Sequence, residues 1–249
     1  MDISSYVLLS HEQALRRRLD VVANNLANTS TVGFRREQPV FHEMVRGQGG
    51  DATADKTGKV SFVLDHGAVH DTRGGAFQAT GNPLDVMIDG PGYLTVASAE
   101  GAPAYTRAGH LKVLEDGRLA AAGGEPVLGD GGQPIVIPAE ALGQLRIGED
   151  GTVIGPDGPL GRIGLTVFDD EAAVDPRGDG LFSGTGGRLL AAAETLLKSG
   201  GVEGSNVQPI SETTQMIEIL RSYQTSQRLA ADIADMRKRA IERLGRVGN

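Results

Sequence analysis

The sequence predicts an α+β protein: an antiparallel, β-rich central domain flanked by long N- and C-terminal α-helices that form a coiled-coil-like assembly layer. Three observations lead there. The 36 glycines are about twice the ~7% of average usage, and they lie almost wholly between residues 33 and 204, leaving both ends nearly glycine-free. Each end carries apolar residues at helical spacing. Between them, short apolar–polar alternations are separated by Asp-Gly steps, the mark of strands joined by tight turns.

The first element is an amphipathic helix over roughly 3–28. Leu8, Leu15, Leu19, Val22 and Leu26 fall on one stripe, with Glu12, Arg16, Arg17 and Asp20 elsewhere on the wheel. Short polar side chains at Asn28-Thr29-Ser30-Thr31 compete for the backbone and Gly33 provides a stop. Residues 1–34 thus form an N-terminal assembly helix and Asn-rich bend, and 35–59 an extended, flexible connector whose 46–59 stretch is rich in glycine and polar residues.

The central domain occupies 60–202, with β structure over about 60–185. Leu84, Val86 and Ile88 alternate with Asp85, Met87 and Asp89, and Leu94 and Val96 continue the pattern beyond Gly90-Pro91-Gly92. The Asp-Gly steps at 89–90, 116–117, 130–131, 150–151 and 157–158 mark turns. A weak internal echo relates the stretch from Leu111 to Gly117 to the stretch from Leu145 to Gly151, and it reads as two similar hairpins.

The last segment, 203–249, holds one long helix from about Asn206 to Leu244, with Ser205 or Asn206 as N-cap and Pro209 tolerated in the first turn. Met216, Tyr223, Ala230 and Leu244 keep a seven-residue register, with Leu220, Ala234 and Ile241 as companions; Arg237 and Gln227 interrupt it. Each fully buried Leu, Val or Met is worth roughly 1.5–3 kcal/mol, so the stripes of both terminal helices call for partners: each other, and equivalent helices of neighbouring copies. The helices are then expected to be poorly ordered in a monomer and to order on assembly.

Bulk properties exclude several function classes. A net charge of −8 and a pI near 5.2 have the wrong sign for phosphate-driven nucleic-acid binding. No apolar run approaches the ~20 residues that span a bilayer, so direct membrane insertion is not expected, and the N-terminus lacks the pattern of a cleaved secretory signal. With no cysteine there are neither disulfides nor thiolate metal sites. Six phenylalanines, four tyrosines and no tryptophan make a stacking platform for bases or sugars a poor expectation.

No catalytic constellation emerges. His66 and His70 have helical metal-pair spacing, but Gly67 and the β pattern remove the helix that would align them. The carboxylates Asp169, Asp170, Glu171, Asp175 and Asp179 lack the ligand spacing of a calcium loop and read as a solvated loop. Asp85 and Asp89 are placed on the polar face of a strand, without an acid–base partner. Gly58-Lys59 is followed by Val60, so a phosphate loop is incomplete. The basic residues Arg237, Lys238, Arg239, Arg243 and Arg246 complement a helix C-terminus, and Arg16-Arg17-Arg18 solvate a helix face. No enzyme activity, metal or cofactor is expected.

Three stretches are more specific than periodicity requires: Ala23-Asn24-Asn25-Leu26-Ala27-Asn28 through Thr31-Val32-Gly33-Phe34-Arg35 to Phe41; Thr80-Gly81-Asn82-Pro83-Leu84-Asp85 with Ile88-Asp89-Gly90 and Gly92-Tyr93; and Glu203-Gly204-Ser205-Asn206-Val207 followed by Met216, Tyr223 and Gln227. Together they closely resemble the signatures of the flagellar rod and hook proteins, in the right order over essentially the full length. The resemblance implies a structural subunit of the bacterial flagellar basal body that polymerises helically and transmits torque from rotor to hook. Its partners would be itself and other rod proteins, after export by the flagellar type III apparatus. The opening residues and modest length are more similar to proximal-rod members than to distal-rod or hook proteins. A distal-rod protein, or an export-associated binding module, is the alternative. The resemblance places subunit-assembly contacts at Leu15, Leu19, Val22, Asn24, Asn25, Leu26, Asn28, Gly33, Phe34, Asn206, Met216, Leu220, Tyr223 and Gln227, with the amides of the bend satisfying backbone groups of a neighbour.

Overall fold

The computed structural model describes residues 3–47, 59–98, 101–169, 174–178 and 180–246. They fall into two compact units, one made of 1–27, 37–69 and 208–249, the other of 28–36 and 70–207.

In the first, helical unit, helix α1 spans Ile3–Ala27 and ends where the Asn28–Ser30 turn begins. Strands β1 (Glu37–Gly47) and β2 (Lys59–His70) pair as a two-stranded sheet. Residues 37–47 therefore belong to regular structure, where the sequence reading has a connector; most of its glycine-rich stretch, 48–58, lies outside the described residues. Arg17 on α1 reaches Asp65 on β2, 3.2 Å from Nε to the carboxylate.

Helix α2 runs Pro209–Arg246. It starts three residues later than the reading from Asn206. The carbonyl of Gln208 accepts the Glu212 N–H at 3.1 Å, so Gln208 takes the cap position and Pro209 the first turn. Asn206 is not the cap. Its side chain is instead directed at three backbone groups elsewhere, described below.

Among the described residues the β unit contains fifteen short strands. In chain order they are β3 (Phe77–Ala79), β4 (Val86–Ile88), β5 (Tyr93–Ala97), β6 (Pro103–Thr106), β7 (Leu111–Val113), β8 (Leu119–Ala121), β9 (Arg146–Ile147), β10 (Thr152–Gly155) and β11 (Gly158–Arg162). They continue as β12 (Leu165–Val167), β13 (Val174–Gly178), β14 (Leu181–Gly184), β15 (Arg188–Leu189), β16 (Leu197–Ser199) and β17 (Gly201–Glu203). The largest sheet has the order β13-β14-β6-β5-β12-β15, a second β11-β10-β9, and β16-β4, β17-β3 and β7-β8 form pairs. The pairings recorded within these sheets are antiparallel.

The alternation read at 84–96 settles the core. Val86, Ile88, Leu94 and Val96 are buried and join Leu119, Val127, Val153, Ile163 and Leu165 in one apolar cluster. A second cluster is aromatic: Tyr93, Tyr105, Phe168 and Phe182 with Val174. Tyr105 meets Phe168 edge-on, ring centres 4.9 Å apart, the arrangement the ring quadrupole favours.

The internal echo is structural. In each copy a backbone amide closes a turn of the same length: Leu114 N–H donates to Arg118 O, and Gly148 N–H to Thr152 O, both at 2.9 Å. Asp116 accepts the Arg118 N–H and Asp150 the Thr152 N–H, and Gly117 and Gly151 have φ of 82° and 83°. Two Asx-type turns thus repeat 34 residues apart.

Asp85 departs from its reading as a polar-face residue. It is 3% exposed and accepts from the Thr80 hydroxyl at 2.6 Å and the Asn82 amide at 2.9 Å, with His110 Nδ1 at 3.1 Å. The local Thr-x-Asn-x-x-Asp spacing lets the loop satisfy the carboxylate itself, which is what permits its burial. Asp89 is exposed and meets Lys198 at 2.6 Å.

Leu94 is fully enclosed, so Leu94→Ala is expected to destabilise the β unit by about 2–5 kcal/mol, read as a lowered urea midpoint.

Candidate assembly site

In the helical unit the two helices meet along an apolar seam. Leu15 and Val22 of α1 and Ile219 of α2 are buried, with Leu19, Met216 and Tyr223 packed against them. Five of these six belong to the stripes read from the sequence. The sixth, Ile219, takes the buried place that the reading gives to its exposed neighbour Leu220, and all six meet within one chain. Farther along, Leu8, Leu9 and Glu12 of α1 and Ala230, Ile233, Ala234 and Arg237 of α2 line a groove of about 300 Å³.

Below the seam lies a polar lock. Asn25 is 0% exposed. Its amide oxygen accepts the Glu37 N–H at 2.8 Å, while its amide nitrogen donates to the Glu37 carbonyl at 2.9 Å and to Glu212 Oε2 at 3.3 Å. A side-chain amide thus imitates a strand partner for the first residue of β1. Asn25 accordingly serves its own chain.

In the β unit a second lock is centred on an ion pair. Arg107 Nε donates to Glu203 Oε2 at 2.8 Å, with both side chains 1% exposed. The remaining guanidinium nitrogens donate to the carbonyls of Gly92 at 2.8 Å and Gly90 at 2.7 Å, and more distantly to Ile88. Glu203 Oε1 accepts the Gly75 N–H at 3.0 Å. Burial pushes the Arg107 guanidinium below its ordinary value, Arg35 adds to this, and Glu203 opposes it. Arg35 and Arg107 each stand 5.7 Å from the centre of the Tyr93 ring, a cation–π distance.

The bend is threaded through this lock. Gly33 N–H donates to Glu203 O at 2.8 Å. Gly33 has φ of 70°, and a Cβ there would sit 2.5 Å from the Arg107 carbonyl carbon, so only glycine fits. Asn206 accepts the Arg36 N–H at 2.6 Å and donates to the carbonyls of Arg73 at 2.8 Å and Asp71 at 3.3 Å. Asp71 in turn accepts from Arg73 Nε at 2.9 Å. That bond is the largest influence holding its carboxyl down from 3.8 to about 2.

The residues singled out in the sequence therefore separate. Leu15, Leu19, Val22, Met216 and Tyr223 meet in the seam; Asn25, Gly33 and Asn206 are bound into the two locks. Leu26 and Phe34 are half-buried, as is Asn28, whose side chain accepts the Thr31 hydroxyl at 3.0 Å. Asn24, Leu220 and Gln227 are exposed. Sequence reasoning missed Arg107, Glu212, Arg36 and Gly75. Glu212 stands in the first turn of α2, where an acid is ordinary and signals nothing further, and Arg107 carries no local signal. Among the described residues no group of three or more His, Asp or Glu stands close enough to hold a metal ion, and no described helix is long and apolar enough to cross a membrane.

Comparison with known proteins fits this arrangement. Residues 6–35 match the family model described as flagella basal body rod protein. Residues 87–155 match the flagellar hook protein FlgE/F/G D1 domain, and 198–243 the flagellar basal body rod FlgEFG protein C-terminal region. The chain is 37% identical over 250 residues to the flagellar basal-body rod protein FlgF of Caulobacter vibrioides, covering 99% of this chain and 100% of that protein. The chain belongs to the flagellar basal-body rod protein family. Rod-protein relatives also include FlgF of Salmonella typhimurium, 32% identical with 98% of this chain and 99% of that protein covered, and FlgG of Bacillus subtilis, 34% identical with 91% and 93% covered. As a rod protein the chain is a structural subunit of the flagellar basal body, and the matched N- and C-terminal regions contain the seam, Asn25 and Glu212 of the first lock, and Gly33, Glu203 and Asn206 of the second.

Arg107→Met would strand Glu203 in the interior, and a loss of about 3–5 kcal/mol is expected in chemical unfolding. Because the Asp71 carboxyl is lowered by folding, its stabilising contribution is full above the ordinary carboxylate value and declines as pH falls from about 4 toward 2. NMR titration should find Asp71 near 2, and Arg73→Ala should move it back toward 3.8.

Proposed function

We propose that this rod protein stands in the proximal part of the rod, polymerising helically through its terminal helices in a coiled-coil-like layer to carry torque from rotor to hook, without catalysis. Its partners are further copies and other rod proteins, and it reaches the periplasm-spanning rod through the flagellar type III apparatus without a cleaved signal peptide. The observation that carries this reading is the apolar face that α2 keeps after pairing with α1. Ile210 is 84% and Ile217 47% exposed, and Leu220 is 39% exposed beside them. At 100° per residue, Ile210 and Ile217 lie roughly opposite Glu212 and Ile219, which face the seam. A helix apolar on two sides is built for two neighbours.

The proximal position is supported by relatives named FlgF that match almost the whole chain at 37%, 34% and 32% identity. The relative named FlgG at 34% favours a distal position as the second reading. Side-chain-resolution electron cryo-microscopy of basal bodies from the source cell decides between them. A short stack next to the membrane ring supports the proximal place, and a long run through the outer shaft supports the distal one. Absence from the shaft would sink both.

Ile217→Asp is expected to leave monomer unfolding within about 0.5 kcal/mol of the parent, since the side chain touches no core, while abolishing incorporation into basal bodies and swimming in soft agar. Normal swimming would show that this face has no neighbour.

A further inference from the structure

The net charge of the chain is not shared between its two units. Segments 1–27, 37–69 and 208–249 contain 13 acidic and 13 basic side chains, whereas 28–36 and 70–207 contain 19 acidic and 11 basic. The helical unit is neutral, and the whole −8 resides in the β unit.

The structure sharpens this asymmetry. Six of the β unit's cations are committed to carboxylates of the same unit: Arg73, Arg107, Arg118, Arg162, Arg188 and Lys198 pair with Asp71, Glu203, Asp116, Asp130, Glu194 and Asp89. The unit carries eight more acids than cations (19 against 11), and Glu115, Glu140, Glu149 and Asp157 are among its exposed acids. Two such units brought side by side repel, with a reach of about 30 Å at 0.01 M salt and about 10 Å at 0.1 M. Two neutral helical units carry no such penalty, and their apolar faces attract.

Resting on the assembly reading above, we infer that the acidic β unit restrains self-association of this chain, so that copies join through their neutral helical units only where salt screens the β units. The restraint keeps a protein with unpaired apolar helix faces from associating before it reaches its place. Elevated ionic strength releases the restraint by screening the charge of the β units.

Sedimentation velocity of the full-length protein in about 10 mM and about 300 mM NaCl tests this, since the screening length changes severalfold between them. The parent is expected to remain monomeric at low salt and to grow several-fold in average mass at high salt. The variant Glu115→Gln/Glu140→Gln/Glu149→Gln/Asp157→Asn is expected to associate at low salt as the parent does at high salt. Arg146→Gln, which makes the β unit more acidic, should move the transition to higher salt. Equal association of parent and neutralised variant at low salt would overturn the restraint and leave the assembly reading standing. Absence of association at every salt concentration, in all three proteins, would overturn both.

Discussion

The buried pair of Arg107 and Glu203 is the interaction on which the β unit depends. Neither charge is reached by water, and isolated charges in such a place would cost several kcal/mol each. They are tolerated because several surrounding backbone groups are aimed at them. Three carbonyls between Ile88 and Gly92 face the guanidinium, and the Gly75 amide completes the carboxylate. Removing any one participant leaves others desolvated without a partner, so four distant stretches of chain are held to a single arrangement. The bend inherits that precision through Gly33, whose amide reads the backbone of Glu203 and whose missing side chain admits the backbone of Arg107.

The helical unit solves the same problem with less charge. An apolar seam is permissive: residues at seven-residue spacing can slide by a heptad and still be covered. Asn25 removes that freedom. Its amide must meet both backbone groups of Glu37 and the carboxylate of Glu212 at once, and a slipped register would bury it unsatisfied. A buried asparagine beside a hydrophobic seam thus supplies the uniqueness that Leu15, Val22 and Ile219 alone do not.

The sequence made the two helices legible because their signals are local: glycine-free stretches, one stripe each, and turn chemistry at the ends. The paired hairpins at Asp116-Gly117 and Asp150-Gly151 were legible for the same reason. What escaped was non-local. Arg107 and Glu203 are 96 residues apart, Asn206 and Arg36 170, and Asn25 and Glu212 187. No periodicity in a window of eleven to eighteen residues can register such meetings. Asn206 illustrates the resulting error, because an asparagine just before a helix is usually its cap, and only the fold shows that the backbone of Arg36 takes its oxygen first. Leu15, Leu19, Val22, Met216 and Tyr223 of the sequence reading do lie in the seam, but its buried α2 residue is Ile219, whereas the reading places the heptad companion at Leu220. Nor does periodicity distinguish a partner helix in the same chain from one in a neighbour.

The helical unit is stitched from the first, second and last stretches of the chain, and this dictates an order of events. The hairpins of the β unit close over about ten residues, and their turns can form as soon as those residues are free. The seam has to wait for residues near 219, with some two hundred positions between its halves, and such distant contacts are the slow ones to form. A chain threaded from either end through a narrow passage therefore arrives with one long amphipathic helix already out and its mate still inside. Through that interval the early helix has no internal partner and stays available to whatever guides it. The unit becomes a finished part only when the other terminus has followed.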